Sequence, residues 1–307
     1  MKYYLYAALG IFPIGAWLKS VSDRTKTRLL RTFAVVVFVS GLWCTWQVLV
    51  MGLTRAEPLT ETMRYSYGTT LVLLLWLGMV LRSEDFKSWM PKSWSWLGIA
   101  GLTLSMIFVQ SRGAQGAFLL GLPFVVFFWK KKAGIAVFAL CGLLMGGIAW
   151  NYFYGTTNTS SLKILNPSNN GSDNIRRTQW QSGIIAFQEK PILGWGLGNL
   201  HTQVKRIKVE NNLGAQHYVG HAHNVLIEVA AGTGILGLFF FVGAFLTWMW
   251  ECWKRGGATR AIMMPFFVAI MFEAQFEVIL DANNATWIGF LYAVTFAVQK
   301  RYQLIFS

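Results

Sequence analysis

Nine apolar stretches succeed one another along the chain, at residues 3–18, 30–53, 69–81, 94–109, 114–129, 133–150, 235–250, 261–280 and 287–298. A helix needs about 20 largely apolar residues, with a range of roughly 17–25, to cross a bilayer; several of the nine are short. Composition points the same way. Of 307 residues 54% are hydrophobic and 13% charged, whereas a soluble domain carries about 25% charged residues. Disorder is excluded by the same figures, because low hydrophobicity is its signature. The fold class predicted is therefore all-α: a polytopic helical integral membrane protein of about nine spans. The first stretch reads as a span, since no small-residue cleavage site accompanies it. Cys44, Cys141 and Cys252 lie in or beside apolar stretches, which argues against a disulfide framework or a cysteine-based zinc site.

The formal net charge of +14 would suggest nucleic acid in a soluble protein. In a membrane protein it reports orientation first. Basic residues gather in alternate connections: Lys19, Arg24, Lys26, Arg28 and Arg31; then Arg82, Lys87 and Lys92; then Lys130, Lys131 and Lys132; then Lys254, Arg255 and Arg260; and Lys300 and Arg301 in the tail. The positive-inside rule assigns these to the cytoplasm. The N-terminus is then outside and the C-terminus inside, as an odd number of spans requires. Three parts follow: membrane helices over 1–150, a large outer loop over 151–220, and membrane helices over 221–307. The loop carries Lys163, Arg176, Arg177, Lys190, Lys205, Arg206 and Lys208 against Asp173, Glu189 and Glu210. Long loops are exempt from the orientation rule, so this excess belongs to a solvated surface or to an anionic ligand.

The loop and its borders hold the polar chemistry. All four histidines, His201, His217, His221 and His223, fall within 23 residues. Imidazoles suit zinc, but no cysteine or carboxylate cluster joins them at ligand spacing; acid–base or hydrogen-bonding work is the alternative, beside a structural role at the membrane interface. The run Pro191–Gly198 has the glycines of a phosphate loop without the strand and helix such a loop requires. A tight turn on the membrane surface, with Trp195 at headgroup level, fits better. Before it, residues 175–189 have helical periodicity, with Ile175, Trp180, Ile184 and Phe187 on one face; the reading is an amphipathic helix on the bilayer, stopped by Pro191. Ser111-Arg112-Gly113 forms a tight hairpin between two apolar stretches. Arginine within hydrocarbon costs at least about 2.5–3.5 kcal/mol, so Arg112 either snorkels to headgroups or holds a ligand. Glu273, Glu277 and Asp281 recur at helical spacing along one face, and buried acids in membranes pair with cations; Arg112 or the loop arginines are the partners predicted, with a role toward a sugar hydroxyl as the alternative.

His223-Asn224, followed after nine residues by Gly234-Ile235-Leu236-Gly237, resembles the His-Asn … Gly-x-x-Gly signature of the O-antigen ligase and polymerase superfamily. The Ser111-Arg112-Gly113 element and Arg176, four residues before Trp180 and upstream of the Gly194–Gly198 run, occur in that family's order. The resemblance covers roughly residues 93–300, with fewer spans before the arginine hairpin than the family usually has. It implies an inner-membrane glycosyltransferase with its active site facing the periplasm. The donor implied is a glycan on undecaprenyl diphosphate and the acceptor a sugar hydroxyl of lipid A–core, with membrane lipids around it and no nucleic acid partner. Arg112 and Arg176 would stabilise the leaving diphosphate, and His223 would act as base toward the acceptor hydroxyl or orient it. Arg177, His221, Asn224, Glu273 and Glu277 are the substrate-binding candidates; Asn224 either orients His223 or caps the next helix. No cofactor and no metal is implied. Within the superfamily, a polymerase or a protein O-oligosaccharyltransferase shares the donor and differs in acceptor. A transporter is the alternative from another class, but the chain lacks the internal repeat common in transporters.

Overall fold

The computed structural model describes residues 20–58, 62–82, 92–154, 171–196, 198–213 and 220–276. Every regular element among the described residues is an α-helix: α1 (Asp23–Leu49), α2 (Thr62–Leu81), α3 (Lys92–Val109), α4 (Arg112–Trp129), α5 (Lys131–Tyr154), α6 (Gly171–Glu189), α7 (Leu200–Glu210), α8 (Val225–Arg255) and α9 (Gly257–Glu273). The all-α prediction holds over these residues. The apolar stretches that begin at 30, 69, 94, 114, 133, 235 and 261 fall on helices, and those at 3–18 and 287–298 lie outside the described residues. Three of the helices, α1, α4 and α8, are long and apolar enough to cross a membrane.

The core forms where α9 packs against α2, α4 and α8. Met263, Phe266, Phe267 and Ile270 of α9 bury themselves against Leu73, Leu74 and Trp76 of α2 and Ala117 and Val125 of α4. A helix that is apolar all round is stable only inside a bundle or a bilayer, and α9 takes the inner place. The outer helices turn apolar faces away from the protein instead. Val36, Val39, Trp43 and Trp46 of α1 and Phe239 and Phe240 of α8 are all exposed. Contiguous apolar surface of this kind would drive association in water; in a membrane it meets lipid. The chain is a membrane protein.

Between helices, small residues and hydroxyls replace the hydrophobic effect, which lipid cannot supply. α1 and α3 cross so closely that a Cβ on Gly101 would overlap the Phe38 backbone, and one on Gly41 the Gly101 carbonyl. Beside this crossing the Tyr65 hydroxyl bonds Ser40 Oγ at 2.5 Å and Ser105 Oγ at 2.9 Å, tying α2 to both neighbours. Gly101→Leu should therefore force α1 off α3. Overpacking of this kind costs about 1–3 kcal/mol, to be read as a lower thermal unfolding midpoint in detergent. Gly142→Leu, at a position with open space around it, should not lower the midpoint.

The link from α3 to α4 carries Arg112. Gln110 adopts a left-handed backbone (φ 52°), Ser111 is the extended N-cap, and Arg112 is the first residue of α4. The turn is as tight as predicted, but the two helices do not pack side by side as a hairpin. α3 packs on α1 and α2, whereas α4 packs on α2, α5 and α9. The left-handed residue redirects the chain, and α2 serves both helices as a shared neighbour.

Candidate functional site

Helix α6 begins at Gly171 and ends at Glu189, just before Pro191, close to the bounds predicted. The side packed on the protein is lined by small and polar residues. Gln179, Ser182, Gly183 and Ala186 are buried, while Ile184 is 45% exposed. The physical reason is close approach to α8: a Cβ on Gly183 would overlap Ile227, and a stripe of large side chains could not come so near. Of the apolar stripe assigned to the bilayer, Ile184 is turned away from the protein, whereas Ile175, Trp180 and Phe187 are half-buried. Arg176 is half-buried, one turn before Gln179 on the inner side, and Arg177 is exposed.

The glycine run after α6 follows a helix rather than the strand that a phosphate loop requires. It clasps a break in α8. Gly234 leaves the helical conformation (φ 66°, ψ −169°) and interrupts α8. The Trp195 N–H donates to the Ala231 carbonyl at 2.9 Å, the Gly196 N–H to Gly232 at 2.7 Å, and the Ile235 N–H to Pro191 at 2.7 Å. The loop thereby replaces helix hydrogen bonds that the break removes, which a buried backbone must have. A Cβ on Gly194 would meet the Gly232 backbone, and one on Gly234 the Ile192 carbonyl. Trp195 is held by the protein. Its indole N–H donates to the Ala186 carbonyl at 3.0 Å, and Lys190 Nζ lies 3.9 Å from its ring centroid with Arg206 on it at 5.5 Å.

The histidine turn sits at the head of α8. His223 is one of three non-glycine residues with positive φ among the described residues (φ 49°), together with Gln110 and Asn212. Two of the three thus flank residues singled out from the sequence. The His223 carbonyl accepts the Trp180 indole N–H at 3.4 Å, which ties the turn to α6. Its own N–H donates to His221 Nδ1 at 3.3 Å, and the two imidazole centroids stand 4.2 Å apart. Asn224 is the N-cap of α8: its Oδ1 accepts the Ile227 N–H at 3.1 Å, while its Nδ2 donates to Gln275 at 3.1 Å. Of the two roles foreseen for Asn224, the cap is the one the geometry shows. The Val225 N–H donates to the Ala274 carbonyl at 2.8 Å, so the end of α9 braces the same turn.

That end of α9 also meets the start of α4, where a Cβ on Gly116 would overlap the Phe272 ring. Arg112 and His223 therefore begin helices that lean on one turn, Phe272–Gln275. Arg112 is half-buried, like His221 and His223. Glu273, in the same turn, is fully buried, and neither carboxylate oxygen has a hydrogen-bond partner among the described residues. The ion pair predicted between Glu273 and Arg112 or a loop arginine is not made, because the glutamate lies inside the helix bundle rather than facing the loop. Glu277, Asp281, His217 and Lys163 lie outside the described residues. Among the described residues no three His, Cys, Asp or Glu side chains stand together as metal ligands.

The basic excess of the loop divides once placed. Arg206 is engaged by Glu189 at 2.6 Å and Glu210 at 2.7 Å, and the hydrogen bond to Glu189 holds its guanidinium above its ordinary value. Lys208 is buried on the inner face of α7, and desolvation pulls its ammonium below the usual lysine range. Lys190 covers Trp195. Arg176 is half-buried on α6, four residues before Trp180, whose indole bonds the His223 carbonyl. One group the sequence reasoning passed over is Glu228. Its Oε2 accepts the Ala222 N–H at 2.8 Å, between the two histidines. The signal was present, since Glu228 is the sole acid between positions 211 and 250.

An uncharacterized protein of Haemophilus influenzae is similar to this chain, with 24% identity over 251 residues. The alignment covers 76% of this chain and 62% of that protein, so the chain spans less than two thirds of its relative. The O-antigen ligase family model matches residues 96–242. The match starts near the beginning of the resemblance drawn over 93–300 and ends within α8; it takes in Arg112, Arg176, Arg177, His221, His223, Asn224, the glycine clasp and Glu228. Over residues 96–242 the chain is thus similar to the O-antigen ligase superfamily, whose members are glycosyltransferase-like enzymes, and the match supports the resemblance drawn from its motifs.

Proposed function

We propose that the protein is an O-antigen ligase, transferring a glycan from undecaprenyl diphosphate to a sugar hydroxyl of lipid A–core at the periplasmic face of the inner membrane. The observation that carries this reading is the His223 turn. A left-handed histidine is pinned at the junction of α6, α8 and α9, one helical turn along α6 from Arg176. Non-glycine residues held in this conformation cost about 1–3 kcal/mol and gather at functional sites. In this reading residues 151–220 lie outside the membrane between the helical parts 1–150 and 221–307, with nine spans in all.

The chemistry is a single displacement. The acceptor oxygen attacks the anomeric carbon while the bond from that carbon to the diphosphate oxygen breaks, so configuration inverts. The acceptor's proton passes to His223, and the carrier leaves as its diphosphate. Negative charge growing on the diphosphate is met by the guanidinium groups of Arg112 and Arg176. At Arg112 the first-turn N–H groups of α4 add the positive end of a helix dipole, and Ser111 does not cap them with its side chain. Arg177 and His221 contact substrate, and Glu277 is the acid proposed to hold a sugar hydroxyl, a role that the burial of Glu273 denies to that residue.

The test is transfer by purified protein from a polyprenyl-diphosphate glycan, with lipid A–core, carrier-linked glycan and protein offered in turn. Product on lipid A–core is expected. Product on carrier-linked glycan alone would make the chain a polymerase, and product on protein alone an oligosaccharyltransferase. No product on any acceptor would move the chain to transport. Transfer is further expected to survive a strong chelator at the parent rate; loss restored by added zinc would bring a metal into the histidine turn.

A further inference from the structure

We infer that Glu228 is a positioning residue for His223, clamping the histidine turn and supplying the negative charge that faces it. The inference rests on the proposed function for what His223 does, but its geometry stands independently. Glu228 lies in the first turn of α8, fixed there by the Asn224 cap and by the Val225–Ala274 bond to α9. From this rigid base its Oε2 reaches back to the Ala222 N–H at 2.8 Å. Ala222 is fully buried between His221 and His223, so this one bond fixes the backbone from which both imidazoles project. A left-handed backbone at His223 persists only if its surroundings over-determine it. The Glu228 bond on one side and the Trp180 bond on the other do so. Burial works most strongly against the charge of this carboxylate, and the Ala222 N–H, His201 of α7 and His223 work in its favour. When His223 takes a proton from the acceptor hydroxyl, an imidazolium forms opposite a carboxylate, and the charge separation is stabilised.

A simple helix cap would tolerate glutamine in place of glutamate, because either side chain can accept the backbone N–H. That difference separates a clamp that also supplies charge from a cap alone. In Glu228→Gln the amide oxygen keeps the Ala222 bond while the charge is lost. Amide exchange of Ala222 should stay at the parent rate, and kcat for glycan transfer should fall about a hundredfold, with KM for the donor unchanged. In Glu228→Ala the bond goes too, and Ala222 exchange should rise about tenfold. Transfer by Glu228→Gln at the parent rate would overturn the electrostatic role. Unchanged Ala222 exchange in Glu228→Ala would overturn the clamp. Amide exchange needs no turnover, so the clamp is decided even if the parent protein transfers to no acceptor and the ligase reading fails.

Discussion

Replacing His223 with alanine should lower glycan transfer by about 10²–10⁴-fold, the range that removal of a positioned acid–base group produces. The protein should stay inserted and monodisperse in detergent, because what holds the turn is not the imidazole. The His223 carbonyl receives Trp180, the Ala222 N–H is taken by Glu228, and Asn224 caps α8. All three bonds survive the substitution. Arg112→Ala should fall by a comparable factor through loss of charge stabilisation on the leaving diphosphate. Arg112→Lys should recover little, since an ammonium lacks the planar fork that grips two phosphate oxygens. Transfer assays on membranes with matched protein levels decide the matter. If both alanine variants transferred glycan at the parent rate, neither residue would belong to the catalytic machinery.

Gly234→Ala should be the most damaging small substitution in the chain. Two independent costs fall on one methyl group. The backbone at Gly234 (φ 66°, ψ −169°) lies in a region open essentially to glycine alone, which costs a side chain about 1–3 kcal/mol. The new Cβ would also be driven into the Ile192 carbonyl, and that atom belongs to a loop whose hydrogen bonds to α8 leave it little room to retreat. The loop must lift or α8 must straighten. Either change strips the Ala231 and Gly232 carbonyls of their partners and pulls α6 away from the histidine turn. The expected result is loss of transfer together with faster amide exchange at Trp195 and Gly196. Retained transfer with exchange at the parent rate would show that the clasp is dispensable. Gly198→Ala is a useful comparison: Gly198 also has positive φ, but nothing stands within 4 Å of a Cβ there, so only the conformational cost applies.

The helices were legible because lipid imposes a simple condition on sequence: a long apolar run must be a helix. All nine runs were therefore read from hydropathy, and the seven within the described residues fall on helices. Arg112 and the His223 turn were legible for a related reason, since charged or titratable groups beside spans are costly and stand out. The glycine clasp was not legible, because what explains Gly194 and Gly196 lies about 38 residues away in the break of α8. Local rules could only compare the run with known loops. The buried face of α6 was hidden for another reason: hydropathy ranks Ile184 above Gly183, whereas close packing against Ile227 required the smaller residue. Glu273 was visible as an acid in a span, but its depth in the bundle depends on how α9 rotates against α2 and α4, which the pattern of apolar residues around α9 does not determine.

The clasp also fixes an order of events during synthesis. Residues 191–196 leave the ribosome before residues 231–235, and the carbonyls they must bind do not yet exist. Residues 191–196 therefore stay without these partners until α8 has been made, and only then can the chain close on itself. Assembly of the histidine turn becomes a late, quality-gated step of biogenesis. A nascent chain released before α8 is complete would display every arginine of the loop and no competent site.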